Sequence, residues 1–95
     1  MVVSMIQVVF ELPDNTSLKD KRQTLRSLKE RLRRKFSISV AEVDLQESLL
    51  FCHIGGAYVT NSKELGEKVM QKVAAFIEET IPGRVHDIAF HTERF

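Results

Sequence analysis

The sequence predicts an α+β fold in which elements follow one another as β-α-β-β-α-β, with a four-stranded antiparallel sheet and both helices on one face. Three observations carry that prediction. Apolar residues alternate with a period of two over Val2–Leu12, then recur every three to four residues over Ser17–Phe36. The same pair of patterns returns in Leu49–Thr60 and the stretch after it. Proline-, asparagine- and glycine-containing segments punctuate the change from one pattern to the next. A chain of 95 residues builds one domain with a modest core and needs no disulfide or metal to do so, so 1–95 reads as a single domain.

In the first strand, Val2, Ile6, Val8, Phe10 and Leu12 share one face, the more uniformly apolar one and therefore the core face. Pro13-Asp14-Asn15 ends it. Ser17 is placed to cap the first helix, with Asp20 at the third helical position to answer it. At 100° per residue, Leu18, Leu25, Leu28, Leu32 and Phe36 fall in one narrow sector, which packs on the sheet. Ser37–Asp44 reads as the second strand, Leu45–Ser48 as a turn and Leu49–Thr60 as the third strand, so the pair forms a hairpin. Gly55-Gly56 in mid-strand predicts a bulge or a close backbone approach. Asn61 or Ser62 caps the second helix, with Glu64 placed to complete a box around Asn61, and its stripe is Leu65, Val69, Val73, Phe76 and Ile77. Pro82-Gly83 stops it, and Arg84–Glu93 is the last strand, with Ile88 and Phe90 on one face. Short connections and right-handed crossovers resolve this order into the ferredoxin-like arrangement. The second and fourth strands are then edges and one sheet face is open, an invitation to a homodimer through that face or an edge strand.

Several function classes find little support. Cys52 is the single cysteine, so no internal disulfide forms, consistent with a reducing, cytoplasmic setting. Residues 1–10 lack the basic start and cleavage site of a leader, and no stretch is long and apolar enough for a bilayer, so no membrane partner is expected. His86 and His91, five apart on one strand, point to opposite faces, as do Cys52 and His53; no cluster has zinc spacing, and neither a metal nor another cofactor is expected. Glu42 and Asp44 share a strand face and read as edge charges that block aggregation. RNA-recognition domains share this element order, but their sheets carry stacking aromatics; here Phe51 and Tyr58 fall on opposite faces and Phe10 points to the core. Acylphosphatase-like enzymes cradle phosphate between the first strand and helix, and the segment here, LPDNTS, has no glycine for such a cradle.

What remains is the first helix. Ser17–Phe36 holds nine of the fourteen Lys and Arg residues against two acids, Asp20 and Glu30, for a charge of +7, while the rest of the chain carries −6. Lys19, Arg22, Arg26, Lys29 and Arg33 recur at spacings of three and four and line one flank over about 21 Å. A flank of that length can follow several consecutive phosphates. The alternative is a solvated helix face whose stems cover apolar surface. Arg33, Arg34 and Lys35 suit the helix dipole at the C-terminus, whereas Lys19, Lys21 and Arg22 lie in the first turns, where a cation is disfavoured. Lys21 lies by angle inside the leucine sector; either its stem packs and its ammonium reaches solvent, or it faces a site formed with Pro13–Thr16.

SLKDKRQTLRSLKERLRRKF, followed by SVAEVD, Gln46 and IGGAYVTNS, resembles the DUF503, or YlxP-like, family of small bacterial proteins across essentially the whole chain. The S-L-K-x-K-R and A-E-V-D segments are specific in combination; His53 and Gly56 depart from the family's usual apolar residues in the third strand. The resemblance implies a ferredoxin-like fold. It also implies proximity to translation, because the family's genes often neighbour those for initiation and ribosome maturation factors. Together with the basic flank, it points to a non-enzymatic RNA- or ribosome-associated module that binds phosphate backbone through Lys19, Lys21, Arg22, Arg26, Lys29 and Arg33. Two alternatives stand beside it: a homodimeric interaction module with an acidic protein partner, and a phosphate-ester enzyme with its site at Asn15–Arg22.

Overall fold

The computed structural model describes all of residues 1–95 and shows β1 (Val2–Glu11), α1 (Leu18–Phe36), β2 (Ser39–Asp44), β3 (Phe51–Thr60), α2 (Lys63–Thr80) and β4 (Val85–Arg94). The antiparallel sheet has the order β2-β3-β1-β4, so β2 and β4 are its edges, as the connection rules require. Both helices cover one face, α2 over β1, β3 and β4, and α1 over β2 and beside α2. This is the ferredoxin-like βαββαβ arrangement.

The core forms where the alternation placed it. Ile6, Val8, Phe10 and Leu12 meet Leu25, Leu28 and Leu32 of α1 and Met70, Val73 and Ile77 of α2. Ser4 fills the polar gap in the core face of β1; it is buried and shares a 2.8 Å hydrogen bond with Thr92 Oγ1, which meets the cost of burying a hydroxyl. Ser17 Oγ accepts from Asp20 N at 3.1 Å to cap α1, while the Asp20 carboxylate reaches back to Thr16 N and Oγ1 instead of to the Ser17 amide. Ser62 caps α2, accepting from Leu65 N at 3.2 Å.

The departures are local and have causes. β2 starts at Ser39, because Ser37 takes a left-handed conformation (φ 55°) and closes α1 by donating to Arg33 O. The β2–β3 connection is longer than expected and begins with Leu45, also left-handed at φ 63°. The α2 stripe is rotated: Gly66, Met70, Val73, Ala74 and Ile77 are buried, whereas Leu65 is exposed and Val69 and Phe76 are half-buried. Gly66 sets that rotation by letting the first turn of α2 sit directly on Ser4. The glycine pair in β3 makes no bulge. Register with β1 runs unbroken from Val2–Thr60 to Glu11–Phe51, and Gly56 provides the close approach instead, beneath Ile6 and Ile38. Bulges lie between Glu42 and Asp44 and, in the β1–β4 pairing, between Val9 and Phe10.

A Cβ at position 66 would collide with Ser4 Oγ. Helix propensity favours alanine over glycine by about 1 kcal/mol, but overpacking costs about 1–3 kcal/mol, so Gly66→Ala is expected to lower stability in urea unfolding. A Ser4→Ala background should recover part of that loss.

Candidate nucleic-acid interface

The α1 cations divide by contact. On the side facing α2, Arg31 lies 5.2 Å from the Phe76 ring centroid and Lys35 lies 4.9 Å from the same centroid, so both have cation–π partners. On the opposite side, toward β2, Arg33 donates to Val40 O at 2.8 Å and pins the last turns of the helix to the edge strand. Lys19, Arg22 and Arg26 are exposed and Lys29 is half-buried. None of these four belongs to any ion pair of the protein, which are Lys21–Glu42, Lys63–Glu67, His86–Glu11 and His91–Glu93. The flank therefore presents four unpaired cations from Lys19 to Lys29, about 15 Å of helix, with Arg33 beyond them half committed to the sheet.

Lys21 does not join this surface. It is 1% exposed; its ammonium donates to Leu45 O at 2.7 Å and lies 3.1 Å from Glu42 Oε2. Neither a snorkelling stem nor a cation aimed at Pro13–Thr16 describes it: the side chain turns inward beneath β2. The place of Glu42 explains this. Val40 and Glu42 pair with Gly56 and Ile54 on the helix-covered face, so Glu42 points under α1. The bulge at Val43 then turns Asp44 to pair with His53 on the open face, so Glu42 and Asp44 do not share a face, contrary to the alternation. Glu42 Oε2 is shielded from solvent and accepts no hydrogen bond, so its link to Lys21 is Coulombic. The signal was present in the sequence: a lysine in a leucine sector demands a buried acceptor, and Glu42 has the parity of buried Ile38 and Val40.

The start of α1 is filled by the chain's own groups. Asn15 Nδ2 donates to Leu12 O and Leu49 O, and the Asp20 carboxylate sits at the helix entrance on Thr16. A negative charge there disfavours an anion at Asn15–Arg22. The histidines also differ from expectation. The bulge opposite Phe10 brings His86 to 2.6 Å from Glu11 Oε1, and His91 pairs in register with Met5, so both stand on the open face. His53 joins them there, 2.9 Å from Gln7 Oε1. Cys52 faces the core; burial pushes its thiol up to about 11, with Lys21 lowering it and Glu42 raising it by smaller amounts.

Fold and flank together define a ferredoxin-like domain with one cationic helix face. Residues 3–90 match the family described as "Protein of unknown function (DUF503)". The chain belongs to that family. It is 37% identical over 65 residues to the uncharacterized protein YlxP of Bacillus subtilis (strain 168), spanning 68% of this chain and 71% of that one. Among solved structures it is similar to a dimeric protein of unknown function and ferredoxin-like fold from Bacteroides fragilis NCTC 9343, at 16% identity and a TM-score of 0.41, covering 99% of this chain and 96% of that one. No helix is long and apolar enough to cross a membrane.

Two outcomes follow from the buried groups. Lys21→Met leaves the Glu42 carboxylate beneath α1 without its counter-charge and should cost about 3 kcal/mol, read as a fall in melting temperature of at least about 10 °C. Lys21→Met/Glu42→Leu should recover most of that loss, because an apolar pair of similar volume removes the uncompensated charge. Cys52 should resist a thiol reagent at pH 8 in the native protein and react fully in denaturant, since burial shields the sulfur and holds it protonated.

Proposed function

We propose that the protein is a non-enzymatic module that binds the phosphate backbone of structured RNA, ribosomal RNA included, through the outward flank of α1. The observation that carries this reading is the run Lys19, Arg22, Arg26 and Lys29, four cations with no ion-pair partner on one face of one helix. Like charges at i,i+3 and i,i+4 cost a helix a few tenths of a kcal/mol per pair. A helix selected for stability alone gains by interleaving glutamate, as α2 does with Glu64, Glu67, Glu78 and Glu79. Lys21 is not a contact in this reading, and Arg33 contributes only at the end of the run. The sheet takes no part, because its open face carries four carboxylates, Glu11, Asp44, Asp87 and Glu93, which repel phosphate. Recognition then rests on phosphates and is weakly dependent on sequence.

Arg22→Glu/Arg26→Glu/Lys29→Glu should weaken binding to a structured RNA by at least about tenfold at low salt. For the wild type, log K against log salt should fall with a slope between about −3 and −4, the range for about four phosphate contacts. Equal binding by both proteins at low salt would sink the proposal. A complex with an acidic protein that survives nuclease treatment would replace it with the protein-partner reading.

A further inference from the structure

All three histidines of the chain stand on the open face of the sheet, and Arg84, whose carbonyl accepts from Glu11 N next to core-facing Val85, is the one lysine or arginine with the parity of that face. Its carboxylates are Glu11, Asp44, Asp87 and Glu93, and Arg84 lies at the edge opposite Glu11. A face with four carboxylates against one arginine repels nucleic acid and anionic lipid, so its natural partner is protein. Its histidines each have a partner within the face. His53 bonds Gln7 at 2.9 Å, His86 bonds Glu11 at 2.6 Å, and His91 lies 3.5 Å from Glu93. Covering the face therefore leaves the histidines bonded, with Asp87 the carboxylate that has no partner of its own.

Between those pairs the surface is apolar and low. Met5, Val9, Ala57 and Ala89 run across its middle, and Val43 and Val59, 48% and 63% exposed, flank them. Gly55 makes a shallow depression bordered by Met5, Gln7 and Ala41. Small residues at the centre allow a second sheet to approach to about 10 Å, the ordinary spacing of stacked sheets.

We infer that this face is the interface of a homodimer, two copies stacking sheet to sheet with their helices outward. Three strands of ten residues and one of six span roughly 570 Å² at about 3.3 Å per residue and about 4.8 Å between strands. Two copies bury about 1,100 Å², the lower end of what a specific interface needs. A second copy fits the face because its area reaches the range of a specific interface only when all four strands are covered, which an identical sheet does. The dimer leaves α1 on the outer surface, so the inference stands apart from the RNA reading, and either can fail alone.

The test is sedimentation equilibrium of the full chain at tens of micromolar. The wild type is expected at twice its 10.9 kDa. Ala57→Glu and Ala89→Glu, which place a charge at the centre of the face, should each give a monomer with an unchanged far-ultraviolet spectrum. The Arg22/Arg26/Lys29 charge-reversal variant should remain dimeric. A monomeric wild type, or a dimer that survives both glutamates, overturns the inference. Peroxide oxidation of the wild type gives a readout independent of any variant's folding. Met5, half-buried in one copy, should oxidise faster relative to exposed Met1 on dilution than at high protein concentration; a ratio unchanged by concentration overturns the inference as well.

Discussion

The ion pair beneath β2 decides how the first helix is turned. Lys21 lies one turn before Leu25 in the sector that faces the sheet, and its ammonium is held between the Glu42 carboxylate and the Leu45 carbonyl. Leu45 adopts a left-handed backbone that costs a leucine roughly 1–2 kcal/mol. Its amide donates to Asp44 Oδ1 and its carbonyl accepts from Lys21, so the unfavourable turn is fastened on both sides. With Lys21 fixed inward, Lys19, Arg22, Arg26 and Lys29 have to point away from the core. The helix cannot roll to hide them without pulling a charge out of its pocket, which gives a cationic flank of fixed orientation.

The charge excess of α1 consequently has several causes. Lys21 is a core lysine with a counter-ion. Arg31 and Lys35 lie against Phe76, where cations and ring attract one another at the α1–α2 boundary. Arg33 satisfies a carbonyl of an edge strand. Lys19, Arg22, Arg26 and Lys29 lack a structural partner, as does Arg34, whose place in the last turn suits the helix dipole. A count of basic residues overstates the available surface roughly twofold, and the useful quantity is the number of cations left without a contact.

The fold was legible because period and punctuation agree in every element: alternating β1, the leucine sector of α1, Pro13 and Pro82 as stops, and serines as caps. The faces of Asp44 and His86 differ from expectation because their strands do not alternate without a break. One extra residue near Val43 separates Glu42 from Asp44, and another opposite Phe10 moves His86 onto the face of His91. No local residue pattern announces these bulges, since they form where strands of a twisted sheet adjust to one another. The α2 stripe was misread for a related reason. Periodicity marks large apolar residues, and the residue that sets the helix against β1 is Gly66, which has no side chain to mark it. The Lys21 pocket lay between these cases: its acceptor could be found by parity, but only once Glu42 was treated as a core-facing position.

The same bulges shape the second surface. Had β4 kept its alternation, His86 would face the helices and Glu11 would stand unpaired on the open sheet. The irregularity opposite Phe10 instead gives Glu11 a partner and stacks the histidine edge-on against Phe51, with ring centroids 5.5 Å apart. The molecule is thus divided by charge as well as by layer. Unpaired cations stand on the helix side along α1, and four carboxylates, two of them beside histidines, stand on the sheet side. A chain of net charge +1 therefore carries two surfaces of opposite character. An anionic ligand drawn to one is turned away from the other, so neither surface competes for the other's partner.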